Sequence, residues 1–298
     1  MSTRTIKVAA AQLGPNNETA SRGEIIGRML SLMEQAIHES VNILVYPELA
    51  LTTYFPKRVR DDYEQFFEEE MPNASVAPLF KKAEEAGISF HMGYAEKDGN
   101  RRYNTTIFVE NGKIIHKYRK LHLPGLGKPD PNYVAKVFEL HYFHHGNTGL
   151  ESFDSKYCRI GMFICQDRRY PECYRVLGLQ GAELILHGYN TTVEPLALSL
   201  NELVLRAGAY QNTVFVIGAA KAGVEDGVEL IGGSSIIDPQ GQVIACASTQ
   251  ADELVTARLD LGQIDAMRRR WNFYGRRHPE QYALLTEPVD TLETKSEV

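Results

Sequence analysis

The chain of 298 residues has an ordinary globular composition, with 43% apolar residues, 23% charged residues and a net charge of −6. This mild acidity argues against a nucleic-acid-binding protein, which carries a clear basic excess. No run approaches 18 consecutive apolar residues, and the apolar stretch within Met1 to Leu13 is too short for a signal peptide. The four cysteines form neither a C-x-x-C pair nor a disulfide pattern, which favours a reducing cytoplasm.

In the N-terminal half, apolar runs alternate with helical spacing. The predicted strands are Ile6 to Leu13, Val41 to Tyr46 and Ile88 to Ala95, and the predicted helices cover 25 to 37 and Val76 to Ala86. We expect Ser75 to be the N-cap of the second helix and Gly87 to end it. Asn111-Gly112 predicts a hairpin that joins Asn104 to Glu110 with Lys113 to Tyr118.

The C-terminal half continues the alternation. Predicted strands are 160 to 164, Glu183 to His187, Thr213 to Ala220 and Glu253 to Asp260, with a hairpin of Ser234 to Asp238 and Val243 to Ala247; predicted helices begin at Pro171 and span Leu196 to Asn212. Strands that alternate with helices predict an α/β protein with a mixed sheet layered by helices. We expect one domain over residues 1–287 and a frayed tail over 288–298.

Cys165 lies at the most informative junction of the chain. It follows the apolar strand that ends at Ile164, and it precedes a helix that starts at Pro171. Open α/β sheets bind ligands at the carboxyl ends of their strands, so this thiol is placed as a nucleophile would be. A free cysteine is also often buried and inert, and the position alone leaves both interpretations open.

Three further polar residues occupy comparable positions. Glu48 follows a buried strand and suits a general base, although the pattern taken alone favours a capping role. Lys120 ends the second hairpin strand and could stabilise an oxyanion, although a single lysine is usually exposed. Glu139 lies inside the apolar run Val137-Phe138-Glu139-Leu140, so we expect it to pair with a lysine.

Other motifs are absent from the sequence. The nine histidines show no H-E-x-x-H or zinc-type spacing, so we expect no metal. There is no G-x-S-x-G elbow and no P-loop, and we expect no cofactor. Five arginines between 268 and 277 indicate a solvated or subunit-facing helix rather than a phosphate-binding track, since no aromatic platform repeats with them.

Glu48 in Tyr-Pro-Glu, Lys120 in Tyr-Arg-Lys-Leu-His-Leu-Pro and Cys165 in Ile-Cys-Gln-Asp-Arg-Arg-Tyr-Pro-Glu resemble the Glu-Lys-Cys set of the nitrilase superfamily. The resemblance extends over nearly the whole chain. It implies a nitrilase-type α-β-β-α sandwich, usually assembled into homodimers or homotetramers. It also implies covalent hydrolysis of a carbon–nitrogen bond by Cys165, with Glu48 as base, Lys120 at the oxyanion and Glu139 as the residue that orients Lys120.

Within the superfamily, the chain is most similar to the N-carbamoyl-D-amino acid amidohydrolases. In that family, arginines bind the carboxylate of the substrate, and the resemblance places them at Arg168 and Arg169. A guanidinium fork suits a carboxylate. The same resemblance assigns Asn190, Thr191, His122 and Gln166 to the substrate site; Gln166 stands where asparagine is expected. An amidase for another carboxamide or a carbamoyl amine is the alternative. Nucleic-acid and membrane partners are not expected.

Overall fold

Two β-sheets packed face to face form the centre of the protein, and helices cover their outer faces. This architecture comes from a computed structural model that describes residues 4–125 and 137–288. The predicted nitrilase-type α-β-β-α sandwich is therefore confirmed. The described residues contain the strands β1 Thr5–Gln12, β2 Ile43–Val45, β3 Phe67–Glu68, β4 Ser89–Asp98, β5 Arg101–Glu110, β6 Lys113–Arg119, β7 Phe153–Asp154, β8 Arg159–Ile164, β9 Leu184–Tyr189, β10 Phe215–Ala220, β11 Ala222–Glu225, β12 Val228–Ile231, β13 Ser235–Ile237, β14 Val243–Cys246 and β15 Glu253–Asp260. Their helices are α1 Arg22–His38, α2 Ala77–Ala86, α3 Glu139–Tyr142, α4 Pro171–Leu179, α5 Ala197–Asn212 and α6 Gly262–Trp271.

The strand order puts several strand ends at one edge of each sheet. The first sheet runs β15-β1-β2-β4-β5-β6, with β3 beside β4, and the second runs β14-β13-β10-β9-β8-β7. β1, β2 and β4 are mutually parallel, and so are β8, β9 and β10. Because parallel strands end at the same edge, the residues that follow β2, β8 and β9 can meet.

The central strands are apolar on both faces because both faces are covered. In β1, Val8 and Ala10 belong to the core between the two sheets, whereas Ala9 and Ala11 pack with the helices outside. Side chains alternate along a strand, so a continuous apolar run is what this two-sided burial requires. The near-continuous runs in the sequence are therefore explained by the layers.

The predicted hairpin at Asn111-Gly112 is confirmed. These two residues have φ of 50° and 68° and join β5 to β6. Both angles lie in the left-handed region, as a type I′ turn requires. The hairpin orients β6 so that its end, which leads to Lys120, reaches the same edge as β2.

The predicted N-cap of α2 is wrong. α2 begins after Val76, and the side chain of Ser75 caps nothing. Instead, the Asn73 Oδ1 atom accepts hydrogen bonds from the Ser75 N–H (3.0 Å) and hydroxyl (2.7 Å). An asparagine reaches backbone groups two residues on, and this turn takes the place of a serine cap. The predicted stop is confirmed, since Gly87 has φ of 69°.

A further hairpin, β11–β12, is absent from the sequence prediction. Asp226-Gly227 joins its strands, and Asp226 has φ of 48°. Among the described residues, no helix combines the length and the apolar character that crossing a membrane requires. The predicted tail lies outside the described residues from 289 onward.

An ion-pair cluster fixes β6 against β4. Glu96 accepts hydrogen bonds from Arg119 (2.7 and 2.8 Å), Lys117 (2.7 Å) and Thr105 (2.7 Å). Burial by itself would raise the pKa of Glu96, but these hydrogen bonds outweigh burial and lower the pKa to about 2. Arg119 is the last residue of β6, so the cluster anchors the strand directly before Lys120.

The Glu96 cluster predicts a pH-dependent contribution to stability. The folded pKa lies below the ordinary 4.5, so the contribution is complete above about pH 4.5 and disappears as the pH falls towards 2. We expect Glu96→Gln to lower the free energy of unfolding by roughly 1–2 kcal/mol at pH 7, allowing for solvent screening, and by less at pH 3. Urea unfolding of both proteins at both pH values measures this difference.

Glu85→Gln is the control. Its partner Lys81 lies 3.8 Å away on the exposed face of α2, and exposed pairs contribute little. An equal loss for Glu96→Gln at pH 7 and pH 3 would contradict the predicted dependence.

Candidate active site

The ends of β2, β6 and β8, together with the start of α3, bring four predicted residues into one buried group. Glu48 follows β2, Lys120 follows β6 and Cys165 follows β8, and Glu139 begins α3 beside them. All four are at most 5% exposed. One carboxylate oxygen of Glu48, one of Glu139 and the Cys165 Sγ atom lie within 4.8 Å of one another.

Two glycines allow the Pro47–Glu48 segment to reach this position. A Cβ atom at Gly188 in β9 would lie 2.4 Å from the Glu48 backbone nitrogen, and one at Gly93 in β4 would lie 2.7 Å from the Glu48 Cα. Real Cβ atoms do not approach other atoms this closely. The segment that carries Glu48 is therefore held between a strand of each sheet, at sites where only glycine fits.

Lys120 joins the two buried acids. Its Nζ atom donates to Glu48 Oε1 at 2.7 Å and to the two oxygens of Glu139 at 2.8 and 2.6 Å. The predicted pairing of Glu139 with a lysine is thus confirmed. Burial by itself would lower the pKa of Lys120, but the acidic groups around it, Cys165 first and then Glu139 and Glu48, outweigh burial and raise the pKa. Burial raises the pKa of Glu139, although Lys120 opposes that shift.

Cys165 has an unusual backbone conformation. Its φ is 44°, in the left-handed region that residues other than glycine rarely adopt. The Arg168 Nη1 atom donates to the Cys165 carbonyl oxygen at 2.7 Å and lies 3.6 Å from Sγ, and Sγ lies 3.3 Å from the Asn190 carbonyl oxygen. Burial raises the pKa of this thiol to about 11, so the resting group is a thiol at neutral pH.

Asp167 connects the ends of β6 and β8. Its carboxylate accepts hydrogen bonds from the Ile164 N–H (3.0 Å), the Tyr118 hydroxyl (2.9 Å) and the His122 N–H (2.9 Å). The His122 ring bonds to the same carboxylate at 2.7 Å and stacks on Tyr170 at 3.6 Å. These contacts fix the loop after Lys120 to the turn that contains the thiol.

The other predicted binding residues divide into two groups. The Asn190 N–H donates to Glu48 Oε2 at 2.9 Å, and the Thr191 hydroxyl accepts from Arg168 at 2.8 Å, so both contact the site. Gln166 is half-buried in the turn. Both arginines line a cavity of about 80 Å³ between α4 and α5, but Arg168 is 2% exposed whereas Arg169 is exposed. The structure therefore joins Arg168 to the thiol and places the Arg169 side chain outside the buried group.

Two residues that the sequence prediction missed complete the network. The Asn104 Nδ2 atom donates to Glu48 at 2.7 Å and to Glu139 at 3.3 Å, and the Tyr54 hydroxyl donates to Glu139 at 2.7 Å. Asn104 is the first residue of a predicted hairpin strand, and an asparagine at that position was the only sequence signal for its role. Tyr54 gave no comparable signal.

Within residues 4–125 and 137–288, two groups of side chains could offer ligands to a metal ion. The first is Glu48, Glu139 and Cys165, but the Lys120 ammonium already lies between its carboxylates. The second is His122, Asp167 and Cys173. Its carboxylate is engaged by the backbone and side-chain donors described above, which identifies a structural hydrogen-bond network.

Known proteins are similar to this chain over most of its length. The carbon-nitrogen hydrolase family matches residues 7–269. N-carbamoylputrescine amidase of Oryza sativa subsp. japonica is 27% identical and covers 94% of each chain, and citrullinase of Francisella tularensis subsp. tularensis is 29% identical and covers 93% of this chain and 96% of its own. A crystal structure of a carbon-nitrogen hydrolase from Helicobacter pylori G27 has a TM-score of 0.86 at 24% identity and covers 96% of this chain and 99% of its own.

The fold and the family match define a class of enzyme, the hydrolases that act on carbon–nitrogen bonds. The chain belongs to the carbon–nitrogen hydrolase family, within the nitrilase superfamily.

The close approach at Gly188 predicts a strong effect of a single methyl group. Gly188→Ala must displace the Glu48 backbone nitrogen, which lies 2.4 Å from the new Cβ position. Because a displacement of about 1 Å in a catalytic group costs on the order of 100-fold in rate, we expect a loss of that size in ammonia release.

Gly27→Ala is the matched control, because nothing lies within 4 Å of its Cβ position on α1. Alanine is the better helix former, so this variant should keep full activity and gain roughly 0.5–1 kcal/mol of stability. Full activity in Gly188→Ala would show that the Glu48 segment is not held as described.

Proposed function

We propose that the protein is a cysteine-dependent amidohydrolase that cleaves the carbamoyl C–N bond of N-carbamoyl amino acids. The observation that carries the proposal is the buried Cys165 thiol beside two carboxylates, all within 4.8 Å, with Lys120 between the acids. A thiol, a neighbouring base and a fixed cation are the components of covalent acyl transfer.

The first step is attack by the thiol. Glu48 takes the proton of Cys165 as the sulfur bonds to the carbamoyl carbon, which converts the resting thiol into a nucleophile at the moment of reaction. The negative charge that develops on the carbamoyl oxygen is stabilised by Lys120 and by the backbone N–H of Gln166. Glu139 keeps the Lys120 ammonium in place through the two hydrogen bonds of 2.8 and 2.6 Å.

The second step releases ammonia and restores the thiol. Glu48 returns its proton to the departing nitrogen, the C–N bond breaks, and a thiocarbamate on Cys165 remains. Glu48 then deprotonates a water molecule, which attacks the same carbon; the C–S bond breaks, and the leaving sulfur takes the proton from Glu48, which regenerates the thiol and the carboxylate. The resulting carbamate decomposes to the amino acid and carbon dioxide, so one water is consumed for each ammonia, carbon dioxide and amino acid formed.

The polar groups around the thiol support a carbamoyl substrate. Asn104 Oδ1 and Asn190 Oδ1 are buried acceptors that have no partner among the described residues. A carbamoyl group supplies the N–H donors that such acceptors need. N-carbamoylputrescine amidase and citrullinase, two of the relatives, carry names that refer to molecules with this group.

Arg168 supports a substrate that carries a carboxylate. Its guanidinium is buried beside Cys165, bonds to Thr191, and retains a buried Nε atom without a partner among the described residues. A guanidinium fork suits a carboxylate. The D enantiomer is the form that the sequence resemblance favours. The homodimer or homotetramer stays a prediction, which is supported by exposed leucines on α5 such as Leu198 and Leu203.

The nucleophile is tested by Cys165→Ala. We expect ammonia release from N-carbamoyl amino acids to disappear, while the circular dichroism spectrum and the thermal midpoint stay those of the wild type. Cys246→Ala is the control because Cys246 is an exposed thiol far from this chemistry, and it should keep full activity. Turnover by Cys165→Ala would exclude the covalent mechanism.

The carboxylate-binding role is tested by Arg168→Lys, which keeps the charge but removes the fork. We expect the ratio of kcat/KM for N-carbamoyl amino acids to kcat/KM for N-carbamoylputrescine to fall by about 10-fold or more, because only the first substrate has a carboxylate. Because a general effect of the substitution on Cys165 would lower both values of kcat/KM, the ratio does not depend on it. Both D and L substrates are measured.

Arg169→Lys should leave that ratio unchanged, since its side chain is exposed. A lower ratio in Arg169→Lys alone would transfer the role to Arg169. If wild-type protein preferred N-carbamoylputrescine or simple amides from the outset, the amidase alternative would replace the carbamoyl amino acid.

A further inference from the structure

A second buried charge cluster lies beside the active site and takes no part in the proposed chemistry. It consists of Lys57, Lys221, Glu225 and Asp226, of which the first three are at most 3% exposed. Lys221 Nζ lies 3.0 and 2.9 Å from the two oxygens of Glu225, and Lys57 Nζ lies 2.7 Å from Asp226. Two lysines and two acids make the cluster neutral, and three of its members lie on or beside the β11–β12 hairpin.

The cluster binds the backbone of one segment from both sides. Glu225 Oε1 accepts the Tyr54 N–H at 2.5 Å, and Lys221 Nζ donates to the Thr52 carbonyl oxygen at 3.0 Å. Glu225 Oε2 also accepts the Asn16 N–H at 2.8 Å. The direction of the backbone at Tyr54 is therefore set by the ion pair.

Tyr54 connects this cluster to the active site. Its side chain is 1% exposed and its hydroxyl donates to Glu139 Oε1 at 2.7 Å. Glu139 in turn receives both hydrogen bonds from Lys120. Glu225 is thus connected to Lys120 through Tyr54 and Glu139. Tyr54 bonds to Glu225 through its backbone N–H and to Glu139 through its hydroxyl.

We infer that the Lys221–Glu225 ion pair is a positioning element for the reaction, which holds Tyr54 so that its hydroxyl donates to Glu139. The inference rests on the proposed function of the site. Simple stabilisation of the fold does not account for the pair, because well-packed apolar residues commonly serve as well as a buried ion pair. What the charged pair adds is direction, since it binds one N–H and one C=O of the same segment.

The charged and titratable groups that face Glu139 come from three other parts of the fold. They are Lys120 after β6, Glu48 after β2 and Cys165 after β8, together with the Tyr54 hydroxyl. The hydrogen bond from Tyr54 favours the ionised form of Glu139 and so lowers its pKa. Loss of this hydrogen bond should therefore raise the pKa of Glu139. A higher pH is then needed before the ionised Glu139 carboxylate holds Lys120.

The experiment compares Glu225→Gln, Tyr54→Phe and the double variant. We expect the acid limb of the kcat–pH profile for an N-carbamoyl amino acid to move to higher pH in both single variants, by about one unit for Tyr54→Phe. The double variant should show no further shift, because both changes act through the same hydrogen bond, the one from the Tyr54 hydroxyl to Glu139. In parallel, alkylation of Cys165 by iodoacetamide is followed against pH by peptide mass spectrometry, which requires no substrate.

Glu183→Gln is the matched control. Glu183 also forms a bidentate pair with its partner, Arg4, at 2.8 and 3.0 Å, but it lies at the start of β9, away from the site. Because this pair is partly exposed, the variant should change the thermal midpoint little and leave the kcat–pH profile unchanged. If Glu225→Gln does not fold, the apolar pair Lys221→Met/Glu225→Met carries the same test.

A Glu225→Gln protein with a lower thermal midpoint but wild-type kcat and alkylation profiles would overturn the inference, as would a shift that adds to that of Tyr54→Phe. If the wild type hydrolyses no N-carbamoyl amino acid, the proposed function fails. The alkylation profiles then still decide the inference: coupled shifts in the single variants support it, and unchanged profiles reject it.

Discussion

The structure depends on one buried cation that is shared by two buried acids. Lys120 reaches Glu48 at 2.7 Å and Glu139 at 2.6 Å, and none of the three side chains is exposed to solvent. At an effective dielectric constant of about 20, opposite charges at such a distance attract by roughly 6 kcal/mol before desolvation is counted. Without the cation, two carboxylates would face each other in a dry interior, so the placement of Glu48, Glu139 and the thiol beside them follows from Lys120.

This requirement explains why the surrounding backbone is so constrained. Lys120 follows a strand that Glu96 anchors through Arg119, and Glu48 lies on a segment held between Gly93 and Gly188. Each acid or base is fixed through its backbone as well as its side chain. An ammonium held at two carboxylates is preorganised for an oxyanion and needs little rearrangement when charge develops.

The sequence was sufficient to predict the residues whose positions follow from local pattern. Glu48 and Cys165 come at the end of apolar runs, and Lys120 comes at the end of a predicted hairpin strand. A strand end can be recognised without knowing what lies opposite. Asp167, Asn104 and Tyr54 could not be found in this way, because their role depends on partners that are 35 to 85 positions away in the chain. The β11–β12 hairpin was missed although Asp226-Gly227 is a turn signal, since its four-residue strands are too short to give a clear period.

Arg168 and Arg169 show a different limit of prediction. They are neighbours in sequence, yet the short 3₁₀ turn Cys165–Arg169 buries one side chain and exposes the other. The turn begins at Cys165, which has φ of 44°. The directions of the two arginine side chains depend on this angle, and the sequence pattern does not reveal it. The double arginine predicted a carboxylate site at this turn, but the sequence could not say which guanidinium faces the thiol.

Arg168, which is proposed to bind the substrate carboxylate, also contacts the backbone of Cys165. Cys165, Glu48 and Lys120 lie at strand ends, whereas Thr191 and Arg168 lie on the turns that follow, so a change in the turns could in principle alter the substrate without moving the nucleophile. Arg168 does not permit this separation, because its Nη1 atom donates to the Cys165 carbonyl oxygen at 2.7 Å. A ligand that draws the guanidinium towards itself also acts on the backbone that holds the thiol. Under the proposed function, substrate choice and nucleophile geometry are therefore coupled through the Arg168 side chain.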